Sequence, residues 1–413
     1  MRCAWRAGAK LLLLAAVLGG IGWPGGSAGP DARATVWSPG SPPAVATVFD
    51  TRVLHEIAIT VEEKDLATLD RDRSRRVPCT FTFDGHAYVM VGIRRKGGIN
   101  SLSPLSEKPA FSIKLNAFIK HQRLFGIDKL ILNNARQDVA FLNEHLGYEL
   151  YRRAHLPAPL TAHAVVTFNG EPRGVYVIKE AVDRQFLVRN FGVADAGGNL
   201  YEGSCPFDDP CTDFLEQPQR MELKRQGEER RNRDDLRALV KVVRETPEAE
   251  WVRAVRERLD LDGFLTGCAI DALANHWDSY SGNVNNYFMY DRSSDGRFVF
   301  IPHGMDSLFG VDGVYPDIEV RSPFAPPKGR LAEDVREAPA RAGAYERAIQ
   351  RVLREAWDER ALMERIEQVG RTLHSTTRTD PRTQADLARF DGAVDRVRRF
   401  IVQRKAKWLT RGG

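Results

Sequence analysis

Apolar and polar residues alternate along much of the first half of the chain. Glu56-Ile-Ala-Ile-Thr-Val, Cys79-Thr-Phe-Thr-Phe, Tyr88-Val-Met-Val-Gly-Ile and Phe111-Ser-Ile-Lys-Leu each carry the period of two that marks a half-buried strand. Gly85, Gly97-Gly98 and the Ser/Pro-rich stretch 101–109 supply the turns between them. The spacing of Phe141, Leu142, Leu146 and Leu150 predicts a helix over 138–153. Ala164-Val-Val-Thr-Phe and Gly174-Val-Tyr-Val-Ile flank Asn169-Gly170, a strong hairpin signal.

The second half reads differently. The stretch 219–259 is dense in both charge signs, with apolar residues at Leu236, Leu239, Val242 and Val243, and predicts a solvated amphipathic helical segment. A more apolar helix is expected over 261–275, then two short strands at Tyr287-Phe-Met-Tyr and Phe298-Val-Phe-Ile. From 345 to 407 the pattern is helical, interrupted near Pro381, and no internal repeat is visible. The expectation is an α+β protein, mainly β first and mainly helical afterwards.

With 43% hydrophobic and 28% charged residues, the composition excludes global disorder, a collagen-like repeat and a polytopic membrane protein. Arg2, Arg6 and Lys10 precede an apolar run from Leu11 to Trp23, and Gly26 and Ala28 fit a cut after Ala28. That is the anatomy of a signal peptide over 1–28, and the run is shorter than the roughly 20 residues of a membrane-spanning helix. The chain is therefore expected to be exported to a periplasm, cell envelope or extracellular space, with no stable membrane span after cleavage. Residues 29–46, rich in Pro, Gly, Ser and Ala, read as a flexible lead-in, and 47–413 as the folded part.

Removing the leader's three basic residues from 60 leaves 57 against 55 acidic ones, so the formal charge falls from +5 to about +2. Any positive field must then be local, near Arg94–Lys96, Lys108 and Lys114. With no recognisable nucleic-acid-binding module either, nucleic acid is not an expected partner. Beyond the leader lie Cys79, Cys205, Cys211 and Cys268. Cys205 and Cys211 flank a short loop and are the pair expected to bridge in an oxidising compartment. Cys268, inside the apolar helix, reads as a small buried hydrophobe. The nine His show no H-E-x-x-H, no tight Cys pair suggests zinc, and no G-x-S-x-G suggests a serine hydrolase.

The chemistry concentrates at His276-Trp-Asp-Ser-Tyr-Ser-Gly-Asn283, with Asp306 ahead of Phe309-Gly310. Phosphoryl transfer needs an aspartate to take or orient the attacking hydroxyl's proton, and oxygen ligands to hold Mg²⁺ against the phosphates. Asp278, then Asn283, then Asp306 has the order in which kinases carry these parts. The bland alternative makes Asp278 and Asn283 a turn or helix cap. His276 reads as a structural residue packed beside Trp277.

At these residues the chain resembles the spore-coat protein H (CotH) kinases, a divergent branch of the protein-kinase-like fold, over roughly residues 50–405. The likeness is carried by Val91-Gly-Ile-Arg-Arg-Lys-Gly-Gly, Lys108-Pro-Ala-Phe-Ser-Ile-Lys-Leu and Gly174-Val-Tyr-Val-Ile-Lys-Glu-Ala-Val-Asp-Arg-Gln-Phe-Leu187. Asn199-Leu-Tyr-Glu, the run Trp277 to Tyr290 and Ile301-Pro-His-Gly-Met-Asp-Ser-Leu-Phe-Gly310 continue it in order. The resemblance implies a bilobal atypical kinase-like fold, with a mainly β lobe over about 47–190 and a mainly helical lobe over about 191–413. It also implies transfer of the γ-phosphoryl of ATP to Ser/Thr of a protein substrate, with Mg²⁺ or Mn²⁺.

By that resemblance Asp278 matches the catalytic aspartate and Asp306 the metal-binding one, with Asn283 or Asn286 as second metal ligand. Lys108 and Lys114 compete for the phosphate-contacting lysine. Glu180 and Glu144 compete to anchor it: the resemblance favours Glu180, the helix-borne glutamate of kinases favours Glu144. Gly97 and Gly98 either let the backbone approach phosphates or simply make a turn. Many family members carry Trp-Asp-x-Asp where this chain has His303-Gly-Met-Asp306, so Gly304 replaces one carboxylate. That departure keeps two other readings open, a non-catalytic secreted binding or scaffold module and a nucleotidyl-transferring relative.

Overall fold

The structure, a computed structural model, describes residues 43–98, 101–203, 205, 211–225, 233–314, 319–375 and 380–410. All of these belong to the unit Ser38–Gly413. The unit Met1–Trp37, and with it the leader expected at 1–28, lies outside the described residues.

Among the described residues the alternating segments of the first half close into a barrel. Its strands are β1 (Leu54–Thr60), β2 (Val77–Phe83), β3 (His86–Lys96), β4 (Ala110–Lys114), β5 (Lys129–Asn133), β6 (Thr161–Phe168) and β7 (Glu171–Glu180). Their order around the barrel is β1-β2-β3-β4-β5-β7-β6, and β1 returns to β6 in parallel, Ile57 opposite Val166. Alternation sends Ile57, Phe81, Ile93, Phe111, Ile113, Leu132 and Ile178 into one barrel core. The β6–β7 hairpin turns at Asn169 and Gly170, whose φ of 47° and 82° suit the tight turn their sequence announces.

A second sheet has the order β11-β10-β8-β9, built from β8 (Leu200–Gly203), β9 (Glu222–Arg225), β10 (Tyr287–Asp291) and β11 (Phe298–Pro302). The helices before and between the barrel strands are α1 (Pro43–Val48), α2 (Glu63–Arg71) and α3 (Asn143–Arg153), and α4 (Arg184–Phe191) follows the last of them. Then follow α5 (Asp234–Glu245), α6 (Glu248–Arg256), α7 (Leu261–Ala274), α8 (Tyr280–Asn283) and α9 (Arg330–Glu337). Three longer helices end the chain: α10 (Pro339–Glu355), α11 (Glu359–His374) and α12 (Pro381–Leu409). No helix among the described residues is long and apolar enough to cross a membrane.

Strand β7 serves two cores. Tyr176 and Ile178 face the barrel interior, whereas Val175 and Val177 join the core shared by α3, α7 and the C-terminal helices. Helix α3 is buried from Asn143 through Tyr151. It is thus a central element rather than a surface helix.

Several expectations are corrected. The lead-in placed at 29–46 overlaps α1, which carries Val48 and Phe49 into the barrel core. The helix expected from 138 starts at Asn143, because the Asp138 carboxylate accepts the Leu142 and Asn143 N–H groups at 3.1 and 2.9 Å and so stands before the first turn. The helical segment expected over 219–259 opens instead with β9, whose four residues pair with β8 and are too short to show a period. The interruption expected near Pro381 is present: α11 ends at His374 and Pro381 opens α12, where the Asp380 carboxylate caps the Thr383 N–H at 2.9 Å. Cys205 and Cys211 are disulfide-bonded, and Cys79 and Cys268 are buried thiols.

Helix α12 is fastened to the barrel by Asp386. Its carboxylate accepts Lys108 Nζ at 2.6 Å and the Val175 N–H at 2.9 Å. Gly174, at φ 81°, leaves the room: a Cβ there would lie 2.3 Å from the Asp386 carboxylate. Asp386→Ala strands a largely buried ammonium and a backbone N–H, so it is expected to cost about 3 kcal/mol in denaturant unfolding. A loss below about 1 kcal/mol would show that the clamp does not hold α12.

Candidate active site

The outward face of β7 runs Val175, Val177, Lys179, so strand alternation delivers a lysine to the wall against which α3 packs. Lys179 Nζ donates to Glu144 Oε1 at 2.7 Å, and the two side chains are 3% and 1% exposed. Asn133 Nδ2 donates to the other Glu144 oxygen at 2.7 Å, and the Tyr148 hydroxyl lies 3.4 Å from Oε1. Burial pulls Lys179 down, but the Glu144 charge outweighs it and leaves the ammonium above its ordinary range. Burial likewise raises Glu144, and Lys179 with Lys96 more than reverses that. Both groups are therefore charged.

Asp278 lies between α7 and α8. Its carboxylate accepts three amide groups, Asn283 Nδ2 at 2.8 Å, Asn285 Nδ2 at 3.1 Å and Asn286 Nδ2 at 2.7 Å. Each asparagine that donates its NH₂ here keeps its Oδ1 as an acceptor or metal ligand. Asn286 also stitches this loop to the one bearing Asp306: its carbonyl accepts the His303 N–H at 3.1 Å. Trp277 Nε1 donates to Ser307 Oγ at 2.7 Å, and Asn143 Nδ2 to the Asp306 carbonyl at 3.1 Å. The loop carrying Asp306 is thereby tied both to the Asp278 loop and to α3.

Asp306, half-buried, is raised by burial and by Glu144, against the pull of Lys179 and Lys96. Lys96, at the end of β3, is brought down to about 8 by burial and by Lys179. Its side chain forms no ion pair or hydrogen bond among the described residues. Glu202 on β8 pairs with Lys224 at 2.7 Å and lies 3.5 Å from His303 Nε2. Burial, with Lys179 and Lys96 nearby, holds His303 well below its ordinary range and so neutral. His276 is the opposite case. Burial lowers it, but Asp271 prevails, and its ring nitrogens meet Asp271 Oδ1 at 3.1 Å and the Gly304 carbonyl at 3.3 Å. Through these two contacts the ring ties Asp271 to the backbone two residues before Asp306.

The structure thus brings Asp278, Asn283 and Asn286 into one hydrogen-bonded group and couples Asp306 to Glu144. It places the other candidates elsewhere. Lys108 is held by Asp386 and lies 5.3 and 5.4 Å from the Phe141 and Tyr176 ring centroids. Lys114 is exposed, on the outer face of β4. Glu180 is paired with Arg189 at 2.6 Å and accepts the Leu160 N–H, so between the two glutamates it is Glu144 that anchors a lysine. Gly97, at φ 138°, and Gly98 follow β3, and the Gly98 N–H donates to Ser101 Oγ at 3.0 Å. Lys179 and Asn285 are the residues that reading the sequence missed, whereas Lys96 lies in the stretch where a local positive field was expected. A lone lysine inside the buried run Val175 to Glu180 was the available signal, since such a charge requires a partner.

For a divalent ion the donors are hard oxygens, the Asp306 carboxylate and asparagine amide oxygens, which suit Mg²⁺. No group of three or more His, Cys, Asp or Glu among the described residues could hold a metal by itself. Gly304 supplies no second carboxylate, and Asn286 fills its place: a Cβ on Gly304, at φ 53°, would lie 2.3 Å from Asn286 Oδ1.

A buried lysine–glutamate pair coupled to one aspartate, beside a second aspartate ringed by amides, is a kinase-like constellation. The family model described as CotH kinase protein matches residues 93–408, and the chain belongs to that family. It is similar to the inner spore coat protein H of Bacillus subtilis strain 168, 21% identical over 294 residues, which cover 70% of this chain and 79% of the relative. The crystal structure of a Helicobacter pylori proinflammatory kinase, CtkA, aligns with 71% of this chain and 94% of that one. Its 12% identity and TM-score of 0.29 are too low to carry an argument.

Glu144→Gln keeps the acceptor for Asn133 but leaves the Lys179 ammonium without a counter-charge, at an expected cost of about 3–5 kcal/mol. Adding Lys179→Met removes the stranded charge and should recover most of the loss in denaturant melts. Additive losses in the double variant would mean that the two side chains do not act as a pair.

Proposed function

We propose that the protein is an exported, CotH-type protein kinase that transfers the γ-phosphoryl group of ATP to a Ser or Thr hydroxyl of a protein, on a bilobal kinase-like frame. The observation that carries this reading is the buried Lys179–Glu144 pair with Asp306 in its electrostatic field. Lys179 and Lys96 supply positive charge for the α- and β-phosphates, and Glu144 keeps Lys179 charged and oriented. Asp306, with Asn283 or Asn286, would hold Mg²⁺, or Mn²⁺ in its place, which neutralises phosphate charge. Asp278, fixed by its three amide donors, accepts the substrate hydroxyl's proton as the new O–P bond forms. The β–γ bridging bond breaks and ADP departs. What supports export is the leader pattern over 1–28 and the spore-coat relative.

The absence of a carboxylate at 304, with Asn286 packed there, favours a second reading. On it the same site binds nucleotide without transferring, as part of an envelope scaffold. Mature protein incubated with γ-labelled ATP and Mg²⁺ decides between them. Label is expected on the protein itself or on a co-exported protein, and Asp278→Asn and Asp306→Ala should each reduce it by about 100-fold or more. Full labelling by both variants would refute the assignment. Nucleotide binding without any labelling would favour the scaffold, and an intact-mass gain of a nucleotidyl rather than a phosphoryl group would identify the third reading.

A further inference from the structure

Besides Lys179, the outer face of the barrel gathers cations that form no ion pair among the described residues, with Asp183 the one carboxylate whose charge acts on Lys129. Val91, Ile93, Phe111, Ile113, Leu130 and Leu132 fill the barrel core, so alternation puts Arg94, Ser112 and Lys129 on the other face. Arg94 and Ser112 are cross-strand partners, Ser112 pairs with Ile131, and Ile131 pairs with Lys179. Arg76 reaches over this row from before β2, donating from Nη1 to the Gly92 and Ser112 carbonyls at 3.0 and 2.7 Å and from Nη2 to Ser112 Oγ at 2.8 Å.

None of Arg76, Arg94 and Lys129 forms an ion pair among the described residues. Arg94 Nη1 donates to the Arg73 carbonyl at 3.1 Å, and its buried Nε has no partner. The Lys129 side chain makes no hydrogen bond among those residues. All three are half-buried: burial and Arg94 bring Arg76 down to about 10, and burial lowers Lys129, with Asp183 opposing that fall and Arg76, Arg94 and Lys224 adding to it. The acids nearby are committed. Asp183 caps α4 through the Gln185 and Phe186 N–H groups, and Glu202 and Glu222 pair with Lys224. The Cys79 thiol, pushed up to about 12 by burial, brings no negative charge.

Desolvating three like charges side by side is unfavourable unless an anion completes the cluster. Arg76 keeps Nε and one Nη2 hydrogen, Arg94 keeps Nε and Nη2, and Lys129 keeps all three of its donors, which suits a tetrahedral dianion. We propose that Arg76, Arg94 and Lys129 form a phosphoryl-oxyanion site on the outer face of β3–β5, filled by a phosphate of the nucleotide or by a phosphoserine of the protein substrate. The phosphotransferase reading enters only in naming these two sources. Strand β5 adjoins β7, so with strands about 4.8 Å apart the site is within reach of either one.

Calorimetry on the full mature chain tests it with two probes, Mg·ATP and a short phosphoserine peptide beside its unphosphorylated form. The variants are Lys129→Gln, which removes no hydrogen bond among the described residues, and Lys129→Gln/Arg94→Gln, each checked for folding by thermal melting. One lost charge-assisted contact corresponds to about tenfold in affinity. If Lys129→Gln weakens the phosphopeptide about tenfold and leaves Mg·ATP unchanged, the site is established and its source is the substrate. If Mg·ATP weakens instead and displaces the phosphopeptide, the site is established with the nucleotide as source. Unchanged affinity for both probes in both folded variants overturns it. Phosphopeptide binding by Asp306→Ala keeps the result separate from any failure of phosphoryl transfer.

Discussion

The Lys179–Glu144 ion pair lies at 3% and 1% side-chain exposure, where either charge alone would cost several kcal/mol. The pair can persist only if β7 and α3 stay in register, so it locks the barrel wall to the deeply buried helix α3. The pair also acts on the other charges of the site. Burial and then Lys179 push Lys96 down, burial and then Glu144 raise Asp306, and burial with the two lysines nearby keeps His303 neutral. A buried pair contributes little net stability against an apolar substitute, which makes a functional reason for keeping it the better explanation.

Much of this was legible in the sequence, and the illegible part has physical reasons. The Asn169-Gly170 hairpin, the helix over 261–274 and the grouping of Asp278 with Asn283 are local, and local spacing reveals them. The role of Lys108 is not local, because its partner Asp386 stands 278 residues away on α12. Glu180 is adjacent to Lys179, yet alternation sends consecutive residues to opposite faces, and Glu180 meets Arg189 instead. Choosing between Glu180 and Glu144 required the register of β7, which no motif prints. The short strands β8 and β9 carry too few residues to show a period, and they bring Glu202 and Lys224 to the site.

Gly304 gives the site its particular character. With φ 53° and the Asn286 amide against it, the backbone has closed over the place where a second carboxylate would begin. Asn286 then serves three ends at once, donating to Asp278, accepting from His303 and filling that space. One carboxylate with neutral amides would give a divalent ion less charge compensation than two carboxylates, so under the proposed function metal affinity would lean on the nucleotide's own phosphates. The lysines whose charge acts on Asp306 would then take on more of the neutralisation.

The central claim is that Asp306 and the Lys179–Glu144 pair hold a metal–nucleotide complex together. The most direct measurement is isothermal calorimetry of ATP with and without Mg²⁺, on the mature protein and on Asp306→Ala. The account predicts that Mg²⁺ strengthens ATP binding to the mature protein and that Asp306→Ala, still folded, loses this metal dependence. No binding to the mature protein at millimolar nucleotide, or an undiminished metal effect in Asp306→Ala, would contradict it.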